Sequence, residues 1–132
     1  MDRAKADGAT IVFGGEQNSR LGGLYFRPTL VDESVPGCEI VTQEVFGPVL
    51  TMQTLATDER AIELAKGTEF GLAAVLVAGD RMHAEAITTG LVAGTIWVNC
   101  FFVCDLRAPF GGSKKSRVGC PAVPGLSISM RT

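Results

Sequence analysis

The sequence predicts an α/β fold, with βαβ units on a mainly parallel sheet. Three observations carry this expectation. Short apolar runs alternate with helical stretches between residues 49 and 99. Each of those helical stretches opens on a capping side chain and closes on glycine. The 16 glycines and 46% hydrophobic residues suit a buried sheet joined by tight turns. A chain of 132 residues fits one domain and can bury about two-thirds of its unfolded surface.

The elements follow in order. Residues 1–7 hold helix-forming Arg, Ala and Lys, with Gly8 as the stop, and read as the end of a helix whose beginning is missing. Residues 9–13 form a short strand closed by Gly14-Gly15, and residues 16–23 a polar turn. Residues 24–31 read as a strand, with Pro28 confining it to an edge or an irregular pairing. A loop with the turn dipeptide Pro36-Gly37 leads to residues 38–42 and then to a strand at 49–55. Thr57 caps the first helix, whose apolar face is Ala61, Ile62, Leu64 and Ala65 and whose stop is Gly67. Residues 72–78 are continuously apolar, as in a fully buried strand. Asp80 caps a second helix running to about residue 89, stopped by Gly90, and residues 94–99 are the next strand. His83 then falls on a helix surface.

Twelve basic against fourteen acidic residues leave a formal charge of −2. That balance argues against a nucleic-acid footprint or a polybasic membrane patch. No apolar run approaches the roughly 20 residues of a spanning helix. The charged amino terminus is followed by no signal-peptide core, so a cytoplasmic location is expected. Cys38, Cys100, Cys104 and Cys120 form no C-x-x-C pair, and His83 lies far from them in sequence. Neither a zinc site nor disulfides are expected.

Two stretches carry candidate chemistry. In Gln43-Glu44-Val45-Phe46-Gly47-Pro48-Val49-Leu50, Glu44 and Phe46 stand two apart and share a face if the segment is extended. The carboxylate can accept from hydroxyls while the ring packs on a flat heterocycle. The plainer alternative is a solvated carboxylate beside a core ring. The second stretch, residues 99–112, leaves the carboxyl end of a strand, where such sheets bind ligands. Phe101, Phe102 and Phe110 offer apolar walls, and Asn99, Asp105 and Arg107 offer polarity. Here too the aromatic residues can be read as ordinary core.

Taken with Tyr25-Phe26-Arg27-Pro28-Thr29-Leu30-Val31, Phe70-Gly71-Leu72-Ala73-Ala74, Thr95-Ile96-Trp97-Val98-Asn99 and Pro109-Phe110-Gly111-Gly112-Ser113-Lys114, the central stretch completes an ordered set. At these separations the set resembles the C-terminal part of the NAD(P)-dependent aldehyde dehydrogenase superfamily, over residues 1–116. The resemblance implies NAD or NADP as cofactor, with Glu44 bonding the nicotinamide ribose and Phe46 packing near the nicotinamide ring. It places Asn99, Cys100, Phe101, Arg107 and Phe110 along the aldehyde tunnel. The family reaction oxidises an aldehyde to a carboxylic acid: a cysteine thiolate attacks the carbonyl, hydride passes to NAD(P)+, and a glutamate activates water.

The same resemblance puts the nucleophilic cysteine, the general base, the oxyanion asparagine and the Rossmann domain upstream of Glu44 in longer chains. Cys38 sits in a turn that is not catalytic in the family. The chain is therefore expected to be a fragment, inactive alone. The alternative is a non-catalytic module that associates with another aldehyde dehydrogenase chain carrying the missing half. Asp105-Leu106-Arg107 is similar to the muconic-semialdehyde branch, where Arg107 would pair bidentately with a substrate carboxylate. After Ser116 the pattern breaks into Arg117-Val118-Gly119-Cys120-Pro121. Residues 1–116 are thus expected to be a partial catalytic domain, and 117–132 a divergent tail that does not make the family's oligomerisation strand. A reading-frame slip near residue 120 would account for the break, which sequencing of the gene tests.

Overall fold

The computed structural model describes residues 1–32, 37–103 and 110–116, together with the backbone of Ile128–Met130. The chain divides into two compact units, Met1–Ala56 and Thr57–Thr132.

The first unit holds helix α1 (Asp2–Ala6), strands β1 (Thr10–Phe13) and β2 (Thr29–Asp32), the single-turn helix α2 (Glu39–Thr42) and strand β3 (Val49–Met52). β1 runs antiparallel to β2, and β2 parallel to β3. The ladders align Ile11, Val31 and Thr51 in one row and Phe13, Leu30 and Leu50 in the next. Alternation sends these rows to opposite faces. On the first face Val31 is wholly buried and clusters with Ala4, Ala9, Cys38 and Ile40. Full burial of such a side chain contributes about 1.5–3 kcal/mol. The other face is the more open among the described residues: Leu50 is 66% exposed, and with Phe13, Pro28 and Pro48 it lines an apolar cleft of about 420 Å³.

Two strand boundaries differ from the sequence expectation. The strand expected at 24–31 begins only at Thr29, because Pro28 has no N–H to give a ladder. Residues 16–27 form a reverse loop instead, in which Asn18 N donates to the Tyr25 carbonyl (2.8 Å) and Arg27 N to that of Glu16 (3.0 Å). The buried Thr29 hydroxyl bolts this loop to β1's turn, donating to the Arg27 carbonyl and accepting from Gly15 N, each at 2.8 Å. Gly14 makes that turn possible: its φ is +74°, and a Cβ there would stand 2.2 Å from the Pro28 carbonyl oxygen. β3 likewise stops at Met52, short of residue 55.

The second unit holds helix α3 (Asp58–Lys66), strands β4 (Phe70–Gly71) and β5 (Ala73–Leu76), helix α4 (Arg81–Gly90), and strands β6 (Thr95–Val98), β7 (Ser113–Lys114) and β8 (Ile128–Met130). β5–α4–β6 is a parallel crossover unit, from Ala73 beside Thr95 to Leu76 beside Val98. β8 continues the parallel sheet beyond β6, and β4 pairs antiparallel with β7. Both caps are as the sequence predicts. The Thr57 hydroxyl accepts from Arg60 N (3.3 Å), and the Asp80 carboxylate from His83 N (2.7 Å). Central β6 buries Thr95, Ile96 and Trp97.

The apolar run at 72–78 is not the fully buried strand its composition suggests. Val75 is 48% exposed and Val77 81%. Among the described residues β5 has a partner strand on the β6 side alone, so its outer edge is open, while Trp97, beside Val75 on β6, is buried.

Candidate functional site

The stretch around Glu44 is a connector held at both ends. Gln43 N donates to the Glu39 carbonyl (2.9 Å), closing α2. At the far end Val49 N reaches back to the Gly47 carbonyl (2.8 Å), a three-residue turn about Pro48. The Pro48 carbonyl then accepts from Thr29 N (2.8 Å), which pins the connector to β2. Between these anchors Phe46 takes φ 51°, a left-handed conformation costing a non-glycine residue roughly 1–2 kcal/mol. The segment is therefore not extended, and strand alternation is not what brings Glu44 and Phe46 together. They meet because the bent connector wraps an open cleft of about 300 Å³, lined by Gln43, Glu44, Val45 and Phe46 with Ile40 and Thr51. Phe46 is 90% exposed, a presented ring and not a core one. The cleft thus offers a carboxylate acceptor for hydroxyls beside an aromatic face for a planar ring.

The second candidate begins where β6 ends. Asn99 and Phe102 are both left-handed, with φ 53° and 58°. The two turns bring Phe101 and Phe102 against Trp97, at ring-centroid distances of 5.8 and 6.0 Å. Phe110 stacks on the same indole at 6.4 Å. Trp97 is 2% exposed while Phe101 is 71% exposed, so the indole is the floor and the phenylalanines are the accessible walls. The indole Nε1 donates to the Val103 carbonyl (2.9 Å) and closes the loop over the strand. Phe110 is placed by a backbone contact: a Cβ on Gly94 would stand 1.7 Å from the Gly111 carbonyl oxygen, so only glycine lets the two segments touch. Lys114 secures the segment beyond, its Nζ donating to the carbonyls of Lys66 (2.9 Å) and Thr68 (2.8 Å).

The remaining expected residues divide. Both ends of the Asn99 carboxamide engage Ala78: Oδ1 accepts from Ala78 N, and Nδ2 donates to its carbonyl, each at 2.9 Å. Cys100 follows, half-buried. Arg107 and Asp105 lie outside the described residues. Cys38 is buried at the head of α2. His83 is on the surface of α4 as expected, with its Nε2 paired to the Asp58 carboxylate of α3. The Asp58 hydrogen bond and charge, helped by Asp80 and opposed by desolvation, hold its pKa above the ordinary 6.5. Among the described residues no group of three or more His, Cys, Asp or Glu is placed to hold a metal ion. Trp97 is the residue that sequence reasoning passed over. Its signal was available: it is the only tryptophan of the chain, two residues before Asn99 on an apolar strand.

A sequence model described as the aldehyde dehydrogenase family matches residues 1–127. The chloroplastic betaine aldehyde dehydrogenase of Atriplex hortensis is 42% identical over 120 residues, and the peroxisomal aminoaldehyde dehydrogenase 2 of Pisum sativum 40% identical over 120. Each alignment covers 90% of this chain and 24% of the relative, so the chain spans about a quarter of the length of the curated relatives it matches. A crystal structure of betaine aldehyde dehydrogenase from Staphylococcus aureus in complex with NAD+ superposes with a TM-score of 0.82 at 40% identity, over 90% of this chain and 24% of that one. Among the described residues no helix is long and apolar enough to cross a membrane.

Proposed function

This chain belongs to the aldehyde dehydrogenase family, and from that premise we propose that it contributes the dinucleotide-ribose contact and part of the aldehyde-lining wall to an enzyme oxidising an aldehyde to a carboxylic acid. The observation that carries the proposal is a cleft lined by both Glu44 and Phe46. The Glu44 carboxylate accepts from ribose hydroxyls, and the exposed Phe46 ring lies against the nicotinamide. The dinucleotide, when bound, is the hydride acceptor. NAD+ is favoured over NADP+ by the complex in which the Staphylococcus aureus relative was crystallised.

On the aldehyde side, Phe101 and Phe110 gather against Trp97, with Asn99 setting the turn and Cys100, half-buried, following it. The relatives' names point to betaine aldehyde and aminoaldehydes, and a cation is attracted to exposed aromatic faces. A carboxylated semialdehyde is the second reading, and it rests on Arg107 alone. The nucleophile and general base are taken to come from polypeptide beyond these 132 residues, in a longer chain or in another aldehyde dehydrogenase chain that associates with this one. The exposed Leu50, Val75 and Val77 side chains support such a covering partner. The same reading keeps residues 1–116 as catalytic-domain sequence and 117–132 as a tail outside the family's intersubunit strand. It also keeps the chain in the cytoplasm, on composition.

Titration of isotope-labelled chain with NAD+ tests the proposal by nuclear magnetic resonance. Saturable shifts are expected at residues 43–47, weakened roughly tenfold in Glu44→Gln by loss of a charged hydrogen-bond acceptor. Shifts that bypass those residues would overturn it. Glycine betaine and a dicarboxylate serve as unreactive aldehyde-side probes. A change in Trp97 emission with the first alone supports the cationic class, and with the second alone the Arg107 reading.

A further inference from the structure

We propose that Asn99 is a positioning residue whose carboxamide stands in for a peptide group, extending the β5–β6 ladder onto Ala78 and fixing the turn that sets Phe101 and Phe102 on Trp97. The proposal deepens the aldehyde-side reading above and rests on it for its functional meaning. The last backbone rung of the ladder is Asn99 N donating to the Leu76 carbonyl, at 2.8 Å. Beyond it β6 turns away at Asn99, φ 53°. Ala78, two residues beyond the end of β5, would be left without a backbone partner, yet its N–H and its carbonyl are both met by the Asn99 side chain, at 2.9 Å each.

A carboxamide carries the same donor and acceptor as a peptide unit, so two bonds to one residue reproduce a rung. Asparagine is also among the few non-glycine residues that tolerate left-handed φ. One side chain therefore meets two demands: it lets the backbone turn, and it replaces the rung that the turn removes. Both ends of the amide are anchored on Ala78, so Asn99 acts on a bound aldehyde through the aromatic loop it launches.

Trp97, as the only tryptophan, reports on that loop directly. In the full chain, Asn99→Ala should lose the near-ultraviolet tryptophan circular-dichroism band and shift emission to the red, with far-ultraviolet signal retained. Asn99→Gly separates the two demands, since glycine allows the turn but has no amide. It should lose the Trp97 signature as well. Asn99→Asp gives a rescue that depends on pH. A protonated carboxyl presents an O–H donor and a C=O acceptor, so the wild-type signature should return as the pH falls toward the ordinary carboxyl range near 3.9. Wild type measured in parallel should show no such transition. A wild-type Trp97 spectrum in Asn99→Gly, or an Asn99→Asp chain indifferent to pH, would overturn the proposal. If Asn99→Ala does not fold, the Asn99→Asp titration still decides. The readout needs neither NAD+ nor aldehyde, so a failure of the dehydrogenase reading leaves this result intact, and the converse also holds.

Discussion

The crossover helices, residues 57–90, and the two site segments, residues 43–48 and 99–103, are built on opposite terms. In the crossover each bend obeys a local rule. Thr57 and Asp80 cap their helices, Gly67 follows α3, and Arg81 pairs with Glu85 one turn on at 3.0 Å. In the site segments the backbone runs against local preference. Four non-glycine residues among those described have positive φ, namely Phe46, Asn99, Phe102 and Lys114, and three of them lie in these two short stretches. Such conformations persist only when the surrounding structure over-determines them. The proposed ligand-facing segments are thus the ones whose backbone departs from local preference.

Removing the packed support of the second segment should break this contrast most severely. Trp97→Ala takes away the floor on which Phe101, Phe102 and Phe110 rest and the bond to the Val103 carbonyl. The expected cost is about 3–5 kcal/mol in urea unfolding followed by far-ultraviolet circular dichroism, as for other buried Trp truncations. A cost no larger than that of an ordinary surface substitution would mean that the cluster does not hold the loop.

The opposite sign is expected at Phe46. Its ring is 90% exposed, so little packing is lost on truncation. Phe46→Gly relieves roughly 1–2 kcal/mol of left-handed strain, against roughly 0.5–1 kcal/mol of added unfolded-state entropy. A net gain of about 0.5–1 kcal/mol in stability, with weaker NAD+-induced shifts at residues 43–47, would show strain kept for binding. A destabilised variant would show instead that the ring holds the connector in shape.

How much of this was legible in the sequence follows from the same contrast. The α/β class, both helix caps, the parallel crossover and the surface position of His83 all rest on local rules, and the sequence carries them in plain view. Pro28 marks an irregularity in the sequence, but its consequence, a strand that starts only at Thr29, depends on a loop closed by Arg27 and Glu16. The apolar run at 72–78 does not disclose its exposure, because such a run records what a strand is fit to be covered by, not whether a cover is present. A cleft and not strand alternation brings Glu44 and Phe46 together, and no sequence period marks a left-handed phenylalanine. Polarity singles out Asn99, while its partner Ala78 is 21 positions away and without chemical character of its own. Residue type points to the stretches; the contacts that pin them to the sheets, Thr29 with Pro48 and Ala78 with Asn99, are long-range.

The smallest effect tests whether the crossover itself is purely local. Its two helices are linked side chain to side chain by the pairing of His83 on α4 with Asp58 on α3, both about half exposed. The hydrogen bond to Asp58 and its charge raise the His83 pKa above 6.5, so the folded chain binds this proton more tightly than the unfolded one. The stabilisation from the pair is therefore fully present below about pH 6.5, the unfolded-state value, and is lost as the pH rises through the higher folded-state value. Solvent and salt screen a pair so exposed, which makes the titration a better readout than the melting temperature. His83 ring resonances in wild type should titrate above 6.5, and in Asp58→Asn the midpoint should move down. Equal midpoints in the two chains would show that the two helices ignore each other at this point and that α4 is held by its Asp80 cap and the sheet beneath it.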